Sequence, residues 1–228
     1  MAIVSAIDTN HIGCQLILSE NGNVLFESAA LEGSLVLARH ALNQRQSLWT
    51  QGLRSFFVDY VVPPTALLVF GAGEDAQPLV EFAYMLGWQV TVADARSHLA
   101  TQERFPLAEK VVSSQSLNEL PLNERSAAVI LSHSYEQDSA ALQALLPREL
   151  AYLGILGPRR RTERLLMEVA PAIGRTVEEC FTRLHSPAGL AIGAKNPAGI
   201  ALAIVAEIHD VIEKYSVKIP NCASPAHV

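Results

Sequence analysis

The sequence predicts an α/β fold with a mostly parallel sheet and helices on both of its faces, preceded by a small amino-terminal α+β part. Two observations carry this prediction. After residue 63, short apolar runs alternate with stretches of helical periodicity, which is typical of βαβ units and a parallel sheet. Before that point, Asn21-Gly22 separates two apolar runs, and an Asn-Gly pair in this setting indicates an antiparallel hairpin.

The amino-terminal part is expected to cover residues 1–62. Pro63-Pro64 stops its last apolar run and marks the domain boundary, so the larger domain is expected to span residues 63–228. The predicted elements of the first part are hairpin strands at Cys14–Ser19 and Asn23–Ser28, a helix at Leu31–Gln44 and a strand at Ser55–Val62.

The larger domain is predicted to hold a parallel sheet from about residue 66 to 186. Its first strand is a continuous apolar run, as expected of a strand that is buried on both faces. Its helices repeat apolar residues at a spacing of three and four. The predicted strands are Ala66–Phe70, Val90–Ala93, Ala127–Leu131 and Ala151–Leu156, and the predicted helices contain Leu79–Leu86, Leu142–Leu146, Pro158–Val169 and Pro197–Tyr215.

Composition and charge exclude several function classes. Half of the 228 residues are apolar, which is enough for a sizeable core. The net charge of −6 argues against nucleic acid as a partner, because binding to phosphate backbones needs a basic surface. No apolar run is long enough to cross a membrane, and the amino terminus shows no secretion signal. The three cysteines are widely spaced, so we expect no disulfide framework and a cytoplasmic location.

A glycine-rich turn follows the first strand of the larger domain. Residues 71–76 read G-x-G-x-x-A, the pattern of a Rossmann-like nucleotide-binding loop. Gly71 permits the tight turn, Gly73 allows a phosphate to approach the backbone, and Ala76 allows close packing of helix on strand. Asp94 ends the next strand, at about the distance expected for an acid that binds ribose hydroxyls. NAD(P) is therefore one candidate cofactor.

Two acids next to this turn predict that any dinucleotide binding is weak. Glu74 and Asp75 precede the helix, where their carboxylates complement the helix dipole and compete with an anionic ligand. We expect a Kd for NAD or NADP of about 10⁻⁴ M or weaker. A Rossmann scaffold without a bound nucleotide is the alternative interpretation.

Two histidines follow predicted strands. The ligand site of an open α/β sheet lies outside the carboxyl ends of its strands, so His133 and His185 are expected to share a crevice with Gly71. Their imidazoles are suited to donate to an anionic cofactor or to bind a metal transiently. The alternative is that both are loop histidines with structural partners. Asp138 is expected to cap the helix that follows His133.

An arginine cluster opens the helix after Gly157-Pro158. Arg159, Arg160 and Arg161 fall in its first turn, where cations oppose the helix dipole. Free backbone N–H groups together with guanidinium groups suit a phosphate or pyrophosphate. The alternative is a solvated basic face that pairs with Glu163.

Five stretches of the chain resemble the carboxy-terminal domain of the XdhC/CoxI family over roughly residues 63–212. The most specific are the turn Gly154–Arg161 and the segment Pro187–Pro197, which match the family's GLGSRRK-like and PxGLDIGA-T-P motifs. The five stretches, in family order, are residues 70–96, 103–112, 132–138, 152–166 and 183–208.

The resemblance implies an accessory protein without turnover of its own. Members of this family bind the molybdenum cofactor as cargo, support its sulfuration and deliver it to a xanthine dehydrogenase-like molybdoenzyme. The resemblance also implies a cysteine desulfurase as a possible partner and a homodimer as the oligomeric state. No metal site and no catalytic residue is assigned. The candidate cofactor-binding residues are Gly71, Gly73, Ala76, Asp94, Arg96, His133, Gly157, Arg159, Arg160 and His185.

The sequence departs from the family pattern at several positions. Ala191 and Gly199 stand where an aspartate and a glutamate are usual. The family's Gly-Gly-Cys-Leu-Glu segment aligns with residues 28–32, where Ala30 replaces the cysteine, so any thiol chemistry there is lost. Cys14 is a possible substitute.

Two other functions stay open. One is an NAD(P)-dependent oxidoreductase, although no Tyr–Lys pair at dehydrogenase spacing stands out, and the other is a nucleotide-binding redox sensor.

Overall fold

The computed structural model describes residues 1–8, 12–28, 33–50 and 55–217. The chain divides into two compact units, one of Met1–Pro63 with Tyr215–Val228 and one of Pro64–Lys214. The boundary between the two units after Met1–Pro63 falls within Pro63-Pro64, as the sequence predicts.

The first unit contains a five-stranded antiparallel sheet in the order β3-β2-β1-β5-β4 and the helix α1. The predicted Asn-Gly hairpin is confirmed as β2 and β3. The described part of the predicted helix begins at Ser34, and residues 29–32, which include Ala30, lie outside the described residues. The elements are β1 Ala2–Ala6, β2 Gln15–Leu18, β3 Val24–Glu27, α1 Ser34–Gln44, β4 Leu48–Thr50 and β5 Phe56–Tyr60.

The second unit contains a five-stranded sheet in the order β10-β9-β6-β7-β8, in which every pair of neighbours is parallel. The predicted α/β fold is therefore confirmed. Its elements are β6 Ala66–Phe70, α2 Ala76–Met85, β7 Gln89–Asp94, β8 Lys110–Ser113, a 3₁₀ helix Ser114–Glu119, β9 Ala127–Ile130, α3 Tyr135–Leu145, β10 Tyr152–Ile155, α4 Arg159–Ala172, α5 Val177–Thr182 and α6 Pro197–Val217.

Helices cover both faces of the parallel sheet. Leu67 and Val69 point to one face, where α2 and α6 pack on them, while Leu68 and Phe70 point to the other face, against α3, α4 and α5. This alternation explains why β6 is apolar throughout, since its residues meet a helix layer on either face. Among the helices of the described residues, none is long and apolar enough to cross a membrane.

Candidate functional site

Four loops of the second unit leave the carboxyl ends of β6, β7, β9 and β10. Parallel strands end at the same edge of a sheet, and ligands of open α/β folds bind outside that edge. These loops carry most of the candidate residues: the glycine-rich turn, Asp94 with Arg96, His133, and Gly157 with the arginines.

Gly71 is required because its loop closely approaches the backbone at the end of β9. Its φ is +117°, and a Cβ at this position would lie 2.6 Å from the carbonyl carbon of Leu131. Gly73 differs, because its φ is not left-handed and a Cβ there would meet nothing within 4 Å. Ala76 is fully buried among the residues between helix and sheet, as its place in the motif predicts. The glycine pattern is therefore explained by the fold at Gly71 and Ala76.

The carboxylate of Asp94 accepts hydrogen bonds from other groups of the chain. Its Oδ2 accepts from the N–H of Ala72 at 2.7 Å and from Nη2 of Arg96 at 2.7 Å, and its Oδ1 accepts from N and Nε of Arg96 at 2.8 and 3.0 Å. A carboxylate has about four acceptor positions, and four donors fill them. Asp94 thus fastens the glycine-rich turn to the end of β7, and its ribose-binding role stays a prediction.

The protonation of Asp94 agrees with this structural role. Burial by itself raises the pKa of its carboxyl, but the hydrogen bonds from the Arg96 side chain and from the N–H groups of Ala72 and Arg96 outweigh burial and hold the pKa below its ordinary value. Asp94 is therefore ionised at neutral pH.

The two acids at the start of α2 each have a cationic or imidazole partner. Glu74 pairs with Nη2 of Arg104 at 3.1 Å, and Oδ2 of Asp75 lies 2.9 Å from Nε2 of His133. His133 has a left-handed φ of 58°, an uncommon conformation for a residue other than glycine. The structure thus brings His133 to the glycine-rich turn, but as a partner of Asp75.

Asp138 does not cap α3. Ser134 holds the N-cap position, and its side chain accepts from the N–H of Gln137. Asp138 is buried and accepts from the hydroxyl of Ser132 and from Nη1 of Arg161. A buried carboxylate needs such charged or polar donors, which is the physical reason for the correction. Asp138 thus links α3 to α4 through Arg161 and to the exit of β9 through Ser132, so Arg161 has a structural partner.

The start of α4 has a different character from that of α2. Gly157 has a φ of +129°, and the N–H groups of Arg161 and Thr162 donate to the carbonyl of Pro158. The N–H groups of Arg159 and Arg160 have no acceptor within the ranges that the structure describes. Two of the first N–H groups of a helix, on residues with basic side chains, are thus left unpaired.

The side chains of these two arginines face solvent. The guanidinium of Arg159 lies 4.9 Å from the centre of the Phe181 ring, and its Nε is 3.4 Å from Oε1 of Glu163. About 65% of the Arg159 side chain is exposed, so this ion pair contributes little. Arg160 is exposed and has no ion pair with any residue that the structure describes.

His185 lies beside β10 rather than beside the glycine-rich turn. Its N–H donates to Leu153 and its carbonyl accepts from Ile155, which adds a short parallel bridge at Gly154. The ring stacks on Tyr152 with centroids 4.3 Å apart, and Nδ1 lies 3.1 Å from Oε1 of Glu207. The prediction placed both histidines at one crevice with Gly71; among the described residues, the contacts bring His133 to that loop and His185 to Tyr152 and Glu207.

Sequence reasoning missed Glu207, although a signal was present. Ile200, Ile204, Ile208 and Val211 form the apolar stripe of α6, and Glu207 falls within the same stripe. An acid inside an apolar helix face must have hydrogen-bond partners in the fold, and this requirement distinguishes it from a surface acid.

Comparison with known proteins identifies the family. A family model described as the XdhC Rossmann domain matches residues 67–208, more than half of the chain. The chain belongs to the XdhC family. The matched region contains all ten candidate cofactor-binding residues, whereas the first unit lies outside it.

Two relatives each match about two thirds of this chain. The chain is 35% identical over 157 residues to a protein of Bacillus subtilis (strain 168) that is named as a probable xanthine dehydrogenase subunit, and the match covers 68% of this chain and 45% of that protein. It is 30% identical over 162 residues to the uncharacterized protein YqeB of Escherichia coli (strain K12), covering 70% of this chain and 30% of that protein. The chain thus spans less than half the length of these two relatives.

A solved structure shows the same fold. The crystal structure of a protein described as a xanthine dehydrogenase from Bacillus halodurans superposes with a TM-score of 0.70 and 28% identity. The match covers 93% of this chain and 60% of that chain.

Proposed function

We propose that this protein is an accessory factor of a xanthine dehydrogenase system that binds the molybdenum cofactor as cargo and assists its sulfuration and insertion. The observation that carries the proposal is the start of α4, where Arg159 and Arg160 present guanidinium groups and unpaired N–H groups at the ligand edge of an XdhC domain. The names of the Bacillus relatives support the link to xanthine dehydrogenase.

The residues at α4 fit the charge of this cargo. Molybdopterin carries a phosphate, and a phosphate is bound well by helix N–H groups together with arginine. Arg159, Arg160 and the turn at Gly157 would hold this group. The start of α2 fits it poorly, because the carboxylates of Glu74 and Asp75 stand there.

The partners follow from the same proposal. The client is a xanthine dehydrogenase-like molybdoenzyme, the sulfur source is a cysteine desulfurase, and the protein acts as a homodimer in the cytoplasm.

The ligand that co-purifies with the protein tests the proposal. The chain is produced in a bacterium that makes the molybdenum cofactor, and the purified protein is analysed for molybdenum and, after oxidation, for pterin fluorescence. We expect both in comparable amounts. A bound nicotinamide without pterin would contradict the proposal and favour an NAD(P)-dependent oxidoreductase or a nucleotide-binding redox sensor.

A further inference from the structure

Glu207 is the centre of a polar cluster beneath α6. Its Oε2 accepts from the hydroxyl of Tyr152 at 2.6 Å and from the N–H of Gly189 at 2.7 Å. Its Oε1 lies 3.1 Å from Nδ1 of His185. Only 17% of the Glu207 side chain is exposed, so these contacts replace most of its hydration.

The positions of the protons follow from the chemistry of the partners. Burial, and after it the hydrogen bond to Glu207, raises the pKa of Tyr152 far above its ordinary value, so this hydroxyl keeps its proton and donates. The N–H of Gly189 also donates. An ionised carboxylate has only acceptors, and therefore the contact with Oε1 requires a proton on Nδ1 of His185.

The second ring nitrogen of His185 is left open. Within the described part of the chain, no hydrogen bond involves Nε2, and about 35% of the side chain is exposed. Stacking on Tyr152 holds the plane of the ring. With Nδ1 protonated, the neutral imidazole presents the Nε2 lone pair outward.

We propose that Glu207 is a positioning residue that fixes the tautomer of His185, so that Nε2 accepts a proton or hydrogen bond from an N–H, O–H or S–H group of a ligand. The contact between Nε2 and a ligand rests on the proposed function. The tautomer of His185 does not rest on it, because the tautomer depends only on residues of this chain.

Glu207→Gln is the discriminating variant. The amide oxygen can keep the two contacts from Tyr152 and Gly189, while the amide NH₂ now faces Nδ1 and donates to it. The proton of the imidazole must then move to Nε2. Tyr152→Phe is the matched control, because it removes one donor to Glu207 and retains the carboxylate and the stacked ring.

The measurement is ¹⁵N NMR of the His185 ring at about pH 8.5, where an ordinary imidazole is neutral. In the unaltered protein and in Tyr152→Phe we expect Nδ1 to be the protonated nitrogen, and in Glu207→Gln we expect Nε2 to be protonated. Modification of His185 by diethyl pyrocarbonate, located by peptide mapping, should be at least about fivefold slower in Glu207→Gln, because a hydrogen bond now favours the other tautomer.

Two results would overturn the proposal. One is a proton on Nε2 of His185 in the unaltered protein. This measurement does not depend on whether any variant folds. The other is an unchanged tautomer and unchanged reactivity in a folded Glu207→Gln protein, which would make Glu207 a purely structural link. A protein that purifies without molybdenum pterin would refute the proposed function and leave the tautomer result standing, so the two failures are distinguishable.

Discussion

Two helices of the second unit begin at the same edge of one parallel sheet and differ in charge. Both follow a glycine with a positive φ, Gly71 before α2 and Gly157 before α4. The α2 terminus carries two carboxylates, and the α4 terminus carries two arginines that face solvent. The comparison shows that the glycine pattern identifies the fold, whereas the neighbouring charges decide which terminus is open to an anion.

The charges at the two helix termini also affect the stability of the fold. A carboxylate at a helix amino terminus stabilises it by about 0.3–1 kcal/mol, and a cation there costs a similar amount. The α2 terminus is therefore arranged for stability. The α4 terminus gives up stability, which is expected where an anionic ligand supplies the missing charge.

The largest expected effect comes from the glycine-rich turn. Gly71→Ala should destabilise the protein by about 3 kcal/mol or more, because the new Cβ meets the backbone of Leu131 and the φ of +117° is unfavourable for alanine. Gly73→Ala is the control and should change stability by about 0.5 kcal/mol at most. Urea denaturation measures both. Equal stability of the two variants would contradict a structural role for Gly71.

Asp94→Asn should cost about 2–3 kcal/mol, because two of the four donors lose their acceptor. The pKa of Asp94 is depressed in the folded state, so its stabilisation is present at neutral pH and is lost as the pH falls below about 3.9 and through the folded-state value. The difference in stability between the unaltered protein and Asp94→Asn should therefore become smaller as the pH falls. Unchanged stability together with weaker NAD binding would support the predicted ribose-binding role.

Removing Arg159 and Arg160, the two exposed arginines in the first turn of α4, should affect binding and not folding. Arg159→Ala with Arg160→Ala should weaken binding of the cofactor by about tenfold per arginine, because each charge-assisted hydrogen bond contributes roughly 1.5–3 kcal/mol. The melting temperature should stay unchanged or rise. Arg164→Ala removes the same charge one turn further along the helix and is the control.

Two outcomes of this experiment would count against the phosphate site. Equal affinity in the double variant would mean that the cluster is a solvated face. A sharp loss of melting temperature would mean that these arginines, like Arg161 with Asp138, have a structural role.

The smallest effect is expected at the acids of α2. Glu74→Gln with Asp75→Asn should strengthen binding of NAD or NADP by about two- to fivefold per acid, since each carboxylate repels an anion by roughly the amount that it stabilises the helix. Calorimetry on both proteins checks this. A sub-micromolar Kd in the unaltered protein would contradict weak dinucleotide binding, and an unchanged affinity in the variant would show that the acids do not obstruct the loop.

Local patterns predicted the sheet well, because buried strands such as β6 and helices such as α2 repeat at fixed periods. Short strands such as β4 and β8 were missed, since β4 has three residues and β8 has two apolar residues among its four, which gives too little pattern. The roles of Asp94 and His185 were not predictable in the same way. The N–H of Ala72 reaches Asp94 from the loop after β6, and Glu207 reaches His185 from α6. Spacing along the chain does not encode such contacts.

The most direct test of the contrast between α2 and α4 is a titration with inorganic pyrophosphate, followed by ¹⁵N NMR of the backbone amides. We predict that the signals of residues 157–161 shift with pyrophosphate while those of residues 71–76 stay in place. The Arg159→Ala, Arg160→Ala variant should lose these shifts. Shifts confined to residues 71–76 would contradict the assignment of the anion site to α4 and return it to the glycine-rich turn.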